Sequence, residues 1–265
     1  MKSVKPKKAL GQHFLTDLNV ARRIAATLQP FTGLPVIEVG PGMGVLTQFL
    51  LEDGHDVKVA EIDDESVAYL KENFPALDGR IIEGDFLKMD LNDIFPADGK
   101  FCVIGNYPYN ISSQIFFHVL DYKDRVACCS GMLQREVAER LAAAPGTKAR
   151  GILSVLLQAW FDVEYLFTVD EKVFNPPPKV KSGVIRMTRN SVTELGCDPV
   201  LFKTVVKTTF GMRRKALRNS VKSLMGPHPV EASHLLAMRP EQLSVAEFIE
   251  LTNLISRSRK PAPEA

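Results

Sequence analysis

Short apolar runs alternate with segments of helical periodicity over the first two thirds of the chain. The runs at 36–39, 57–62, 80–83, 101–104 and 126–133 read as strands. Between them, helices are predicted over 45–51, 64–73 and 134–143, with another opening at Ser112 or Ser113. An earlier helix runs to about Leu28 from a cap at Thr16 or Asp17, with Val20, Ile24 and Leu28 on one face. Alternating β and α predicts a mostly parallel sheet with helices on both faces, hence an α/β fold of Rossmann-like type. A further helix over 152–161 and two strands, 163–169 and 184–187, complete this part. The two strands are expected to form a hairpin around a stiff loop containing Pro176, Pro177 and Pro178.

After Arg189 the pattern changes. A linker at 190–193 leads into helical periodicity at 199–210, 213–225, 230–237 and 244–257. Four segments result: a flexible basic arm at 1–12, a catalytic domain at 13–190, a small all-helical domain at 195–257, and a disordered tail at 258–265.

The strand ends carry the candidate chemistry. Gly40, Glu61, Asp85 and Asn106 follow one another at intervals of 21, 24 and 21 positions, each about one β-α unit. All four are therefore expected on the carboxyl edge of the sheet, where open α/β folds bind ligands. Gly40-x-Gly42-x-Gly44 lets a ligand approach the backbone, and Glu61 is placed to take ribose hydroxyls. Val45 stands where a dinucleotide fingerprint has Gly or Ala, which favours a ligand with a single adenosine. Asp85 beside Phe86 suits an adenine amine and ring face. Glu38 is expected to orient the glycine loop or a cationic ligand, or simply to pair with a Lys or Arg.

Asn106-Tyr107-Pro108-Tyr109 sits on a strand-to-helix turn. The Asn106 side chain and the Pro108 carbonyl are two acceptors, enough to hold both N–H bonds of an exocyclic amine. Tyr109 can stack on the base, and Phe174 is expected to close its other face. His13 is read as a hydrogen-bonded residue of the pocket wall, because no second His or Cys lies near it to make a metal site.

Charge adds a second surface. The net charge of +2 is nearly balanced, but no acidic residue occurs from Lys203 to Lys222. A helix there would put Arg214, Arg218 and Lys222 on one face, with Arg213 beside them and Leu217, Val221 and Leu224 opposite. Such a face tracks phosphates. A hydrophobic content of 45% and a charged content of 24% are ordinary for a globular protein. The four cysteines form no C-x-x-C pair, so neither a disulfide framework nor a zinc site is expected. No apolar stretch suggests an export signal or a membrane span.

These motifs together resemble the ribosomal RNA adenine N6,N6-dimethyltransferases of the bacterial small-subunit (16S, kasugamycin-sensitivity) type. The resemblance spans Lys8 to about Ile255. It rests on Leu10-Gly11-Gln12-His13-Phe14-Leu15, Glu38-Val39-Gly40-Pro41-Gly42-Met43-Gly44, Glu61-Ile62-Asp63 and Gly84-Asp85. It continues through Gly105 to Ser112, Met132 to Val137, Phe174-x-Pro176-Pro177-Pro178-Lys179, and Phe210-x-x-Arg213-Arg214-Lys215.

The resemblance implies a class I methyltransferase fold with a seven-stranded sheet, using S-adenosylmethionine and no metal. It implies that His13 and Leu15 line the cofactor site, that Gly40 meets the methionine part, and that Asn106 lies between cofactor and target. The implied targets are two adjacent adenosines in a hairpin near the 3′ end of 16S RNA, met within an immature small subunit. A cytoplasmic monomer with a part in ribosome assembly is expected. The alternatives are a large-subunit adenine methyltransferase conferring macrolide resistance and an assembly factor without catalysis. A nicotinamide-linked oxidoreductase is opposed by Val45. Two departures from the family pattern are Tyr107, where leucine is usual and a ring is expected to narrow the pocket, and His13, where asparagine is common.

Overall fold

A computed structural model describes residues 4–95, 98–228 and 232–259. They fall into two compact units, Met1–Glu139 with Asp162–Arg189, and Arg140–Phe161 with Asn190–Ala265. Residues 140–161, expected within one domain with the rest of 13–190, thus group with the second unit.

The first unit opens with a two-residue strand, β1 (Phe14–Leu15), and a helix, α1 (Leu18–Ala25). The Asp17 carboxylate caps α1 by accepting from the amides of Asn19 and Val20, at 2.8 and 3.2 Å. Alternating strands and helices follow: β2 (Val36–Val39), α2 (Thr47–Glu52), β3 (Val57–Glu61), α3 (Asp64–Asn73), β4 (Ile81–Glu83) and α4 (Leu91–Ile94). Then come β5 (Phe101–Asn106), α5 (Ser112–Asp121), β6 (Val126–Gln134) and α6 (Arg135–Leu141). The strands β7 (Phe161–Val169), β8 (Phe174–Asn175) and β9 (Ser182–Arg189) complete the set.

Seven strands form one sheet in the order β4-β3-β2-β5-β6-β9-β7. From β4 to β6 every neighbouring pair is parallel, and β9 runs antiparallel to β6. All four residues of β2 are buried, as a central parallel strand requires. The predicted hairpin strands do lie side by side as β9 and β7. The core gathers Leu28 from the segment after α1, Leu50 from α2, and Val59, Ile104, Cys128 and Val184 from the sheet. The chain runs outward from β2 through β3 to β4, then crosses back to β5 on the other side of β2. That reversal opens a crevice above the carboxyl ends of β2 and β5.

Residues 4–12 are not loose. They form a 3-10 turn, Lys8–Leu10, and make side-chain contacts with the end of β3. Their continuation, β1, pairs antiparallel with β8 in the register Phe14↔Asn175 and Leu15↔Phe174. Residues 1–3 of the expected arm lie outside the described residues.

The second unit contains α7 (Ile152–Gln158), α8 (Pro199–Gly211), α9 (Leu217–Ser220) and α10 (Val245–Arg259). Arg150, fully buried, binds it together. Its guanidinium donates to the carbonyls of Leu243 and Ala143, at 3.0 and 2.7 Å, and to the Gln158 side chain at 2.7 Å. The Phe210 and Phe248 rings stack with centroids 6.0 Å apart. The expected tail begins too early, since Ser258 and Arg259 belong to α10. Ser258 Oγ accepts from the Gly226 amide at 2.9 Å, and Arg259 Nε donates to the Leu224 carbonyl at 2.8 Å. Residues 260–265 lie outside the described residues. Among those described, no helix is long and apolar enough to cross a membrane.

Candidate active site

The crevice at the strand ends is a cavity of about 360 Å³, set wholly in the first unit. Gly40, Glu61, Asp85 and Asn106 all line it, as the spacing of the strand ends predicts. Pro108 and Tyr109 join them from the turn after β5, and His13 and Leu15 from the N-terminal segment.

The glycine loop runs through positive φ at Gly40 and Gly42, 66° and 55°. A Cβ on Gly42 would stand 2.9 Å from the Phe14 ring, whereas nothing lies within 4 Å of a Cβ built on Gly40. The loop is thus tight against protein at Gly42 and open at Gly40. Glu61 holds it in place: one carboxylate oxygen accepts from the Gly42 amide at 3.0 Å. The other accepts from Ile62 and Asp63, at 2.9 and 3.0 Å. A carboxylate offers about four lone-pair sites, so Glu61 keeps acceptor capacity for a hydroxyl. Burial raises the Glu61 pKa, and the three amides oppose that rise. Behind the loop, Glu38 is fully buried and accepts from Thr47 Oγ1 at 2.6 Å. Burial pushes its carboxyl up to about 8, so the neutral form is favoured at pH 7.

Asp85 caps the turn after β4 by accepting from the Leu87 amide at 3.0 Å with Oδ1. Phe86 is buried beside it, edge-on to His118 with centroids 5.2 Å apart.

The Asn106 side chain donates from Nδ2 to the His13 carbonyl at 3.1 Å. The Pro108 carbonyl accepts from the Ile111 amide at 3.2 Å, one of the two bonds it can take. Tyr109 is bonded through its hydroxyl to Ser182 Oγ, and its ring stacks on His13 at 5.6 Å and 30°. His13 Nδ1 lies 2.7 Å from the Pro176 carbonyl. A carbonyl only accepts, so Nδ1 carries the proton.

Tyr107 turns away from the expected place. Its ring is buried in the core, with the hydroxyl donating to the Ser130 carbonyl at 2.7 Å. Two glycines admit it. A Cβ on Gly131 would stand 2.7 Å from the ring and one on Gly105 3.2 Å from it. The ring therefore fills space behind the strands rather than narrowing the cavity.

Phe174, by contrast, does not line the cavity. Its ring is 4% exposed and belongs to the hydrophobic core, held there by the pairing of β8 with β1. It offers no face to a base.

The predicted basic helix is not continuous. Ala216 is extended (φ −64°, ψ 149°), because the Leu217 amide bonds to the Met238 carbonyl at 2.8 Å rather than continuing a helical ladder. Arg214, Lys215, Arg218 and Lys222 are exposed along this irregular segment, while Leu217 and Val221 are buried as predicted. Arg213 is partly committed to its own unit. It donates to the Lys148 carbonyl and lies 3.8 Å from Glu241.

Sequence reasoning passed over Lys7, Gln12 and Asp63, which join the N-terminal segment to the end of β3. Their one visible signal is an acid, Asp63, two positions after Glu61. Its partner is 56 positions away, beyond the reach of local pattern.

Residues 3–257 match the family model described as ribosomal RNA adenine dimethylase. The chain belongs to that family. It is 70% identical over 258 residues to Ribosomal RNA small subunit methyltransferase A of Parabacteroides distasonis, covering 97% of this chain and 96% of the relative. The protein of the same name from Porphyromonas gingivalis is 61% identical over 259 residues, covering 97% of this chain and all of the relative. Among solved structures, a dimethyladenosine transferase from Plasmodium falciparum shares the fold with a TM-score of 0.77 at 22% identity. It covers 93% of this chain and 98% of that one. The 23S rRNA methyltransferase ErmE gives a TM-score of 0.67 at 26% identity, covering 92% of this chain and 99% of that one.

Proposed function

We propose that this chain uses S-adenosylmethionine to dimethylate N6 of two adjacent adenosines in a hairpin near the 3′ end of 16S ribosomal RNA. The observation that carries the proposal is the convergence of Glu61, Asp85 and the Asn106–Tyr109 turn on one cavity. The residues fit the cofactor. Open space faces Gly40, the Glu61 carboxylate has capacity for a ribose hydroxyl, and Asp85 and Phe86 both line the cavity, an acceptor for an adenine amine and a ring for its face.

When bound, the cofactor supplies a methyl group on a positively charged sulfur, already activated toward a nucleophile. The task left to the protein is to position the acceptor. The amine of adenine is a poor nucleophile because its lone pair is delocalised into the ring. Asn106 Oδ1 and the Pro108 carbonyl accept its two N–H bonds, which favours a pyramidal nitrogen whose lone pair is withdrawn from conjugation and aimed at the methyl group. Tyr109 supports the base by stacking. Burial raises the Tyr109 phenol pKa, so it stays neutral, and the proton leaves to solvent. The second transfer to each base requires room for one methyl group already in place.

The first compact unit carries the transfer, and Arg214, Arg218 and Lys222 of the second contact RNA phosphates. Identity of 70% and 61% to relatives named for the small subunit favours that target over large-subunit RNA. An immature small subunit as the substrate, a role in its assembly, a monomeric state and a cytoplasmic location belong to the same proposal.

The test is mass spectrometry of small- and large-subunit RNA from a strain lacking this activity, treated with the protein and labelled S-adenosylmethionine. Two adjacent dimethyladenosines in the small-subunit RNA are expected. Label in large-subunit RNA alone would overturn the target, and no label in either would overturn the activity.

A further inference from the structure

Asp63 is buried at the end of β3, 2% exposed, and does not line the cavity. Its carboxylate accepts from Ser66 Oγ at 2.9 Å and from Gln12 Nε2 at 3.3 Å, and it pairs with Lys7 Nζ. Two of these three partners come from the N-terminal segment. Lys7 also reaches Glu65 Oε1 at 3.3 Å. The segment closes on itself, since the Lys7 amide donates to Gln12 Oε1 at 2.8 Å and the Leu10 amide to the Lys7 carbonyl at 3.0 Å.

Beyond this clasp the chain forms a wall of the cavity. Every residue from 9 to 15 lines it. At its far end the wall is held by β1 against β8. In the middle it packs on the catalytic turn, where a Cβ on Gly11 would stand 2.6 Å from Asn110 Oδ1. Its near end is held by Asp63. The Asp63 amide also donates to Glu61 Oε1 at 3.0 Å, so the clasp and the ribose-facing carboxylate share one turn.

We propose that Asp63 is a positioning residue for the cofactor cavity: with Lys7 and Gln12 it fixes residues 9–15 as the wall that closes over the bound methyl donor, without touching the donor. This rests on the function proposed above. Burial alone would raise the Asp63 pKa, but bonds from Lys7, Ser66 and Gln12 outweigh it and hold the carboxyl below its usual range. The clasp is therefore ionised and intact at neutral pH.

The test uses the full chain with Lys7→Met, Lys7→Arg and Asp63→Asn. Hydrogen–deuterium exchange is read over residues 4–15 without ligand, and S-adenosylmethionine affinity by calorimetry. Lys7→Met is expected to speed exchange in that segment and to weaken cofactor binding about fivefold, the upper worth of a half-exposed pair. The cofactor KM rises while kcat at saturating cofactor is unchanged, and Lys7→Arg restores both exchange and KM. Asp63→Asn acts in the same direction and more strongly, because its site is buried. Unchanged exchange in Lys7→Met overturns the clasp. Faster exchange with unchanged cofactor affinity overturns its positioning role. Wild-type protein that fails to bind S-adenosylmethionine overturns the functional reading, and this proposal with it.

Discussion

The side-chain amide of Asn106 donates to the backbone carbonyl of His13 across 3.1 Å. A carbonyl cannot donate, so the bond fixes which way the amide faces. Nδ2 is committed to the wall, and Oδ1 is left as the acceptor. The orientation of the group proposed to hold the target amine is thus set by residue 13, not by its own turn.

Removal of that acceptor should stop the chemistry and largely spare the cofactor. Asn106→Ala is expected to lower kcat about a hundredfold or more, the usual cost of one lost transition-state hydrogen bond. Cofactor affinity should fall far less, a few fold at most, through the lost bond to the His13 carbonyl of the wall. Asn106→Asp keeps an acceptor but sets a carboxylate against the His13 carbonyl, and should also transfer slowly. Single-turnover methyl transfer with parallel calorimetry separates the two effects.

Stacking and hydrogen bonding at Tyr109 are separable. Tyr109→Phe loses only the bond to Ser182 and should keep most activity. Tyr109→Ala loses the ring, and aromatic stacking contributes about 1–3 kcal/mol per base. The alanine variant should therefore show about a tenfold or greater rise in KM for RNA, with cofactor KM nearly unchanged. Steady-state kinetics with each substrate varied in turn checks this.

Glu38 gives a pH signature. Its folded pKa of about 8 lies above its ordinary value of 4.5. The native state therefore holds a proton that the unfolded chain has released. Stability from this group is intact below about pH 4.5 and is lost as pH rises towards about 8, by up to roughly 1.4 kcal/mol per pH unit. Glu38→Gln keeps an acceptor for Thr47 but does not titrate. The variant's stability relative to wild type should rise from pH 5 to pH 8 in urea unfolding. A flat difference would show that Glu38 is ionised in the fold.

The basic segment should divide by exposure. Alanine at Arg214, Arg218 and Lys222 is expected to weaken RNA binding and flatten its salt dependence, by roughly 0.7–0.9 in slope for each phosphate no longer neutralised. Arg213→Ala instead removes bonds within the second unit. It should lower the melting temperature by about 2–4 °C and move the salt slope less. Filter binding across a salt series and thermal melts distinguish them.

The elements of the sheet and their shared edge were legible because they rest on local signals. Apolar runs of strand length, caps such as Asp17 and regular strand-end spacing place Glu61, Asp85 and Asn106 together without any long-range knowledge. The failures share one cause, a partner far away in sequence. The helical ladder breaks at Ala216 because Met238, 21 positions on from Leu217, takes the Leu217 amide. Phe174 looks available beside three prolines until Leu15 pairs with it. The Tyr107 ring looks set to narrow the pocket until Gly131, on the neighbouring strand, makes room for it behind the sheet. Lys7 reads as part of a loose basic arm until Asp63 supplies a buried countercharge.

The pairing of Phe14 with Asn175 has a consequence for biosynthesis. Chains are made from the N-terminus, so the first wall of the cavity is translated about 160 residues before the strand that fastens it. At about 5–20 residues per second that interval is on the order of 10–30 s. For most of it the nascent polypeptide has its glycine loop and Glu61 but not the strand that fastens the wall. Cofactor capture is therefore a late event, and a polypeptide cut short before residue 173 would carry nearly every motif of the family and still lack a closed site.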